Sequence, residues 1–402
     1  MTSFSGRSLF YPVVALLTLV DYTFITGVVW LSLKVTGSSL PLGFVLCFSI
    51  AIPFILEMLL GERVTRVSVG RLAYMRILMF GAVATLAWLG VAGYVTGFLL
   101  LALAVGIVDY FTVTAFESWN ARMVVDGLVT ASQAAKRIQT AIQVGGLGGS
   151  MLGGALLGLL DGGTFLVDLG LAGAVASLVL LRLDNDRAKK TVADVSAATS
   201  PKQSASIAPT LSLGRNTATG LLICLALIAF HIGAFNSMLP LVYQQVNGWD
   251  STAFGTASGI AGVGAFLAAV LPMPRINRLV APLLLVGVDM ILVWSPITAL
   301  SVIAAFFVGF ATNLLRISVR EELIAKARSD ADAEWIGSRS AYASLSMQAF
   351  AALFLTFLTS QEVLSARHAP LMLVLSALLL AVGMSLIQGP LWRQWTVEIA
   401  RE

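Results

Sequence analysis

One apolar stretch restricts the chain more than anything else in it. Residues 9–33 read LFYPVVALLTLVDYTFITGVVWLSL, 25 residues whose only charge is Asp21. At about 1.5 Å per residue, a helix of this length crosses a hydrocarbon core of about 30 Å with some tilt. Runs of similar length recur. The pattern predicts twelve spans, near 9–33, 41–60, 72–92, 97–119, 138–160, 163–182, 218–246, 251–273, 279–297, 299–318, 337–360 and 368–390. Composition agrees: 58% of residues are hydrophobic and 11% charged, against about 25% charged in soluble domains. An all-α integral membrane protein is expected. The first run is too long for a cleaved signal and carries an acid at its centre, so it is expected to remain.

Basic residues collect in alternate loops. Every Lys and Arg except Lys34 and Arg367 is placed with one side, which the positive-inside rule makes the cytoplasm. Both termini are expected there, in a bacterial inner membrane. The net charge of +4 follows from this loop bias, so no nucleic-acid partner is implied. Cys47 and Cys224 both lie in apolar runs and form no disulfide or metal pattern. Residues 183–217 read as a charged, Ser/Ala/Pro-rich cytoplasmic linker. It separates an N-terminal six-helix bundle, 1–182, from a C-terminal one, 218–402.

Ionisable groups inside spans are functional candidates, because an ionised side chain at mid-membrane costs about 2.5 kcal/mol or more. Asp21, Asp109 and Asp289 lie near mid-depth. Asp21 and Asp109 are the candidate proton-coupling pair. A carboxyl poised between its two protonation states can load a proton on one side and release it on the other. The alternative for this pair is a structural hydrogen bond to Tyr22, Thr23 or Tyr110. No partner is evident for Asp289. Glu57 and Glu117 are expected to pair with Arg63, Arg66 or Arg122 at the inner surface, and Asp168 to serve the start of helix 6. His231, Asn236, Tyr243 and Asn313 offer donors and acceptors to a polar solute, with His231 also a candidate for packing.

Helix 5 reads QVGGLGGSMLGGALLG, which puts Gly145, Gly149 and Gly153 on one ridge and Gly146, Ser150, Gly154 and Gly158 on another. Small ridges let helices approach closely in lipid. The ridge is read either as tight packing or as a surface on which the halves rock.

Several pieces in order carry a family resemblance: Asp21; Thr36-Gly37-Ser38-Ser39; Pro53; Asn120-Ala121-Arg122; Gly149-Ser150-Met151-Leu152-Gly153-Gly154; Phe165-Leu166-Val167-Asp168; and Leu239-Pro240-Leu241. They resemble the major facilitator efflux proteins of the enterobactin-exporter type, over most of residues 10–275. The loop after helix 2 holds Glu62-Arg63 where that superfamily usually has Asp-Arg, and Ser150 stands where its antiporters have Pro. The resemblance implies two six-helix bundles with helices 1, 4, 7 and 10 lining a central cavity. It also implies gating roles for Glu62, Arg63, Arg122, Gly149 and Gly153.

No enzyme signature, metal site or nucleotide-binding loop is present in the sequence. Energy is therefore expected from a proton gradient rather than a bound cofactor. The function expected first is proton-coupled export of a small molecule, a siderophore or an amphipathic drug, by a monomer. Uptake of an organic nutrient by symport, and a membrane sensor on the same fold, are the alternatives.

Overall fold

The computed structural model describes residues 5–60, 69–125, 129, 131–194, 215–271, 280–325 and 330–388. Among these, twelve α-helices follow one another: α1 Ser5–Thr36, α2 Ser39–Leu60, α3 Val69–Trp88, α4 Val95–Val125, α5 Ala131–Leu159, α6 Gly162–Asp194, α7 Arg215–Leu241, α8 Ser251–Val270, α9 Val280–Trp294, α10 Thr298–Ala325, α11 Asp330–Leu358 and α12 Ala369–Gln388. Eight carry stretches long and apolar enough to cross a membrane, and shorter apolar stretches lie in the other four. Each corresponds to one predicted span. The chain is an all-α, multi-pass membrane protein.

The spans bury their few hydroxyls by bonding them back to their own helices. Thr23 Oγ1 donates to Leu19 O at 2.7 Å, Thr112 Oγ1 to Val108 O at 2.7 Å and Ser237 Oγ to Gly233 O at 2.8 Å. A hydroxyl cannot reach water at this depth, so the i−4 carbonyl is its default acceptor. Gly37 closes α1 with φ +62°, a left-handed turn that glycine adopts without strain.

The chain forms two compact units: residues 1–37 with 51–204, and residues 38–50 with 205–402. In the first, α1 packs on α5 and α6, and α3 on α6. Phe10, Val14 and Leu17 of α1, Leu72 of α3, Phe116 of α4, Ile138 of α5 and Leu180 of α6 share one core. In the second, α7 packs on α11 and α12, α8 on α10, and α9 on α10 and α12.

Two findings depart from the boundaries read from sequence. Residues 38–50, expected in the first bundle, belong to the second unit. Ser39 Oγ donates to Thr356 O of α11 at 2.8 Å, and a Cβ on Gly43 would collide with the Thr356 side chain. The start of the expected linker is helical: α6 continues to Asp194. Linker residues 195–214 lie outside the described residues.

Candidate functional site

Among the described residues, each unit buries a cluster of charged and hydroxyl side chains. In the first, Asp21 of α1 meets Arg76 of α3. Arg76 Nη2 donates to Asp21 Oδ1 at 2.7 Å, and Nη1 to Oδ2 at 3.0 Å. The two parallel bonds form the bidentate fork that a guanidinium and a carboxylate favour. Nη1 also donates to Thr112 Oγ1 of α4 at 2.9 Å, and Nε to Ser177 Oγ of α6 at 3.3 Å. Arg76 is fully buried and lies over the Phe80 ring one turn along α3, 5.3 Å from its centroid. Asp109 of α4 is half-buried, near enough for its charge to interact with both Asp21 and Arg76.

Asp21 therefore has a partner that the sequence reading did not supply. Arg76, which loop charge alone groups with the cytoplasmic basic residues, lies inside α3. Its signal was a single cation within a run otherwise free of charge. A guanidinium stays protonated under all physiological conditions, so Asp21 faces a permanent counter-charge.

In the second unit, His231 of α7, Asp289 of α9 and Ser376 of α12 meet. All three are buried, His231 and Asp289 completely. His231 Nδ1 lies 2.9 Å from Ser376 Oγ, and Nε2 lies 3.8 Å from Asp289 Oδ2. The partner that sequence could not name for Asp289 is this histidine.

The clusters occupy matching places: α1, α3 and α6 are the first, third and sixth of the helices α1–α6, and α7, α9 and α12 are the first, third and sixth of α7–α12. The third helix supplies the cation in one and the anion in the other. Each cluster's serine bonds to the basic side chain.

Other sequence candidates are placed as follows. Tyr243 is buried in a π-helical turn, Val242–Val246, with its hydroxyl 2.8 Å from Ser301 Oγ. Asn313 Nδ2 donates to Ala265 O at 2.6 Å and ties α10 to α8. Asn236 is exposed. Gly149 and Gly153 pack on α1 inside the same unit. A Cβ on Gly153 would sit 2.9 Å from Thr23 O, and one on Gly149 would collide with Leu19 O. Thr23 Oγ1 also donates to Gly149 O at 3.1 Å. This is the close-packing arrangement that small ridges allow. Asp168 is exposed within α6, and the residue that caps that helix is Asp161. Its Oδ1 accepts from Gly163 N and Thr164 N, each at 3.0 Å, and its Oδ2 accepts from Thr164 Oγ1. Those bonds hold the Asp161 carboxyl below the ordinary carboxylate value. Glu62 and Arg63 lie outside the described residues, as do the side chains of Glu57, Glu117 and Arg122.

No protein-family model and no curated protein sequence matches the chain. Solved structures do. A bacterial homologue of the iron transporter ferroportin, in an inward-facing state, superposes with a TM-score of 0.72 over 96% of this chain and 99% of that one, at 13% identity. The fold is that of the major facilitator transporters. A bacterial homolog of the human lysosomal transporter Spinster, inward-facing and occupied, gives 0.64 over 96% of both chains at 16% identity. The nucleoside transporter NupG gives 0.66 over 94% of this chain and 98% of that one, at 12% identity. At these identities the likeness is one of fold.

Proposed function

We propose that the chain is a secondary transporter that moves a small organic solute across a bacterial inner membrane by alternating access, coupled to protons. The observation that carries this reading is the fold: it is shared over nearly the whole length with transporters of the same architecture. Buried titratable groups within the spans support proton coupling, since their burial has no structural necessity in an apolar helix. Export of a siderophore-like or amphipathic compound is the direction favoured by the sequence motifs of α1, α4 and α5.

Within the first unit the coupling role passes to Asp109. Asp21 is held by Arg76 and acts as its counter-ion. Asn236, exposed on α7, is the polar side chain best available to a solute. Glu62, Arg63 and Arg122 are proposed to gate at the cytoplasmic side, where the sequence places them.

The test is flux in proteoliposomes containing a pH-sensitive dye. Hydroxamate and catecholate siderophores and cationic amphipathic drugs are the solutes to try. An exporter working by antiport moves protons against the solute, and a symporter moves them with it. Asp109→Asn is expected to abolish gradient-driven accumulation while leaving downhill exchange. Flux no faster than in empty liposomes, for compounds that measurably bind the purified protein, would sink the transport reading.

A further inference from the structure

In the second unit, Ser376 settles which nitrogen of His231 carries its hydrogen. The serine hydroxyl has one proton, and it donates that proton to Leu373 O at 2.6 Å. Toward His231 Nδ1, 2.9 Å away, the serine oxygen can then only accept. Nδ1 is therefore the N–H of the ring. Neutral His231 presents the Nε2 lone pair to Asp289 Oδ2, 3.8 Å away. Among the described residues, neither Nε2 nor either Asp289 oxygen has a hydrogen-bond partner, and both side chains are completely buried.

Two acceptors thus face each other with no donor between them. That arrangement is repulsive in a dry interior, where an unpaired polar group carries its full desolvation cost. One proton removes the conflict. We infer that His231 and Asp289 form a buried binding site for one exchangeable proton, held in register by Ser376. On loading, a water-derived proton bonds to Nε2 or to Asp289 Oδ2, and the pair becomes neutral overall. On release, the N–H or O–H bond breaks, the proton returns to water, and a single carboxylate charge stays behind. A lone buried charge is costly, so release requires water to reach the pair.

The first unit supplies the contrast. There Ser177 Oγ likewise donates to its own helix, to Gly173 O at 2.7 Å, and accepts from Arg76 Nε. Arginine does not release its proton, so that cluster is locked. Histidine at the corresponding junction is a group that can bind and release a proton. One architecture carries a fixed ion pair in one unit and a titrating pair in the other.

Other titratable groups on the surrounding helices stand well away along the helix axes. Gly233 of α7 faces Gln348 of α11, so Tyr342 and Arg339 lie about 9 and 14 Å from that level at 1.5 Å per residue. Ser301 Oγ donates to Leu292 O, which puts position 304 of α10 level with Asp289. Arg316 is then about 18 Å along α10, with Arg320, Glu321 and Glu322 further still. Arg367 and His368 precede Ser376 by about 12–14 Å, and on α7 Cys224 and Tyr243 lie about 10 and 18 Å from His231. A metal ion is a poorer occupant. Among the described residues no group of three His, Cys, Asp or Glu could hold one, and zinc in structural and catalytic sites alike takes three or more protein ligands.

The use of this proton in transport rests on the reading of the chain as a transporter; the site itself does not. The chain has two histidines, His231 and His368, so His368→Gln leaves one imidazole to observe. The protein is labelled with 15N-histidine, placed in lipid nanodiscs and titrated by NMR. The Nε2 resonance is expected to shift as the pair takes up its proton, on Nε2 itself or on the Asp289 oxygen facing it, while Nδ1 stays protonated throughout. Adding Asp289→Asn is expected to displace the midpoint by about one pH unit or more, a tenfold change in proton affinity. Ser376→Ala is expected to populate the other ring tautomer, a readout that stands even where Asp289→Asn folds poorly. A His231 whose Nε2 resonance shows no pH-dependent shift, or shifts identically with and without Asp289, would overturn the site. So would broadening of its resonance by stoichiometric Mn2+. A normal titration in a protein that moves no solute would uphold the site and remove the transport reading instead.

Discussion

Arg76 carries four of the described hydrogen bonds in the first unit's core, two of them to Asp21. Breaking a buried pair from one side leaves an unneutralised charge and costs about 3–5 kcal/mol, whereas removing both charges is far milder. Asp21→Asn and Arg76→Met are each expected to lower thermal stability strongly in detergent. The double variant Asp21→Leu/Arg76→Met is expected to recover most of the loss. A single Asp21→Asn variant as stable as the parent would show that the pair does not hold the unit together. Asp161 makes a weaker, pH-dependent contribution at the surface. Its folded-state carboxyl is held below the ordinary value by the capping bonds. The stabilisation is thus complete above the ordinary carboxylate range and disappears as pH falls through the lowered value. Asp161→Asn is expected to flatten the acid limb of stability against pH, measured by melting at closely spaced pH values; an unchanged limb would exclude the cap as its source.

At the scale of elements, the α1–α5 contact depends on absent side chains. A Cβ on Gly145 would lie 2.5 Å from Ala15 O, and those on Gly149 and Gly153 would also meet α1 backbone. Backbone cannot step aside as a rotamer can, so even a methyl group forces the helices apart. Overpacking of this kind costs about 1–3 kcal/mol, and more for a branched side chain against backbone. Gly149→Leu and Gly153→Leu are expected to reduce the folded fraction recovered by size exclusion. Gly81→Ala is the control: nothing lies within 4 Å of the added Cβ. A helical glycine in open space should gain about 0.5–1 kcal/mol as alanine. Equal behaviour of Gly149→Leu and Gly81→Ala would contradict the packing role.

At the scale of the molecule, the two units repeat one plan: a first helix packed on the fifth and sixth, and a third on the sixth. The orientation of that plan in the membrane is a proposal from loop charge. With Cys47 and Cys224 replaced by Ser, a cysteine at Gly163 or Glu362 is expected to react with an impermeant maleimide only from outside the cell. One at Ser204 is expected to react only from the cytoplasm. Reversed labelling would overturn the orientation.

The existence and extent of the spans were legible in the sequence because hydrocarbon selects against charge residue by residue, and length alone then marks a crossing. The glycine ridge was legible because spacing of four is a property of the helix itself. What sequence could not decide was which way each helix faces. In water, a helix advertises its buried side by being apolar there and polar elsewhere. In lipid, both sides are apolar: on α3, Leu72 is fully buried while Leu78 is 73% exposed. The rotation of α3 that turns Arg76 to Asp21, and those of α7 and α9 that bring His231 to Asp289, are set by packing among helices distant in sequence. For the same reason residues 38–50 join the second unit although the chain runs directly from α1. Hydropathy determined where this chain crosses the membrane; only the assembled helices decided which buried charges meet.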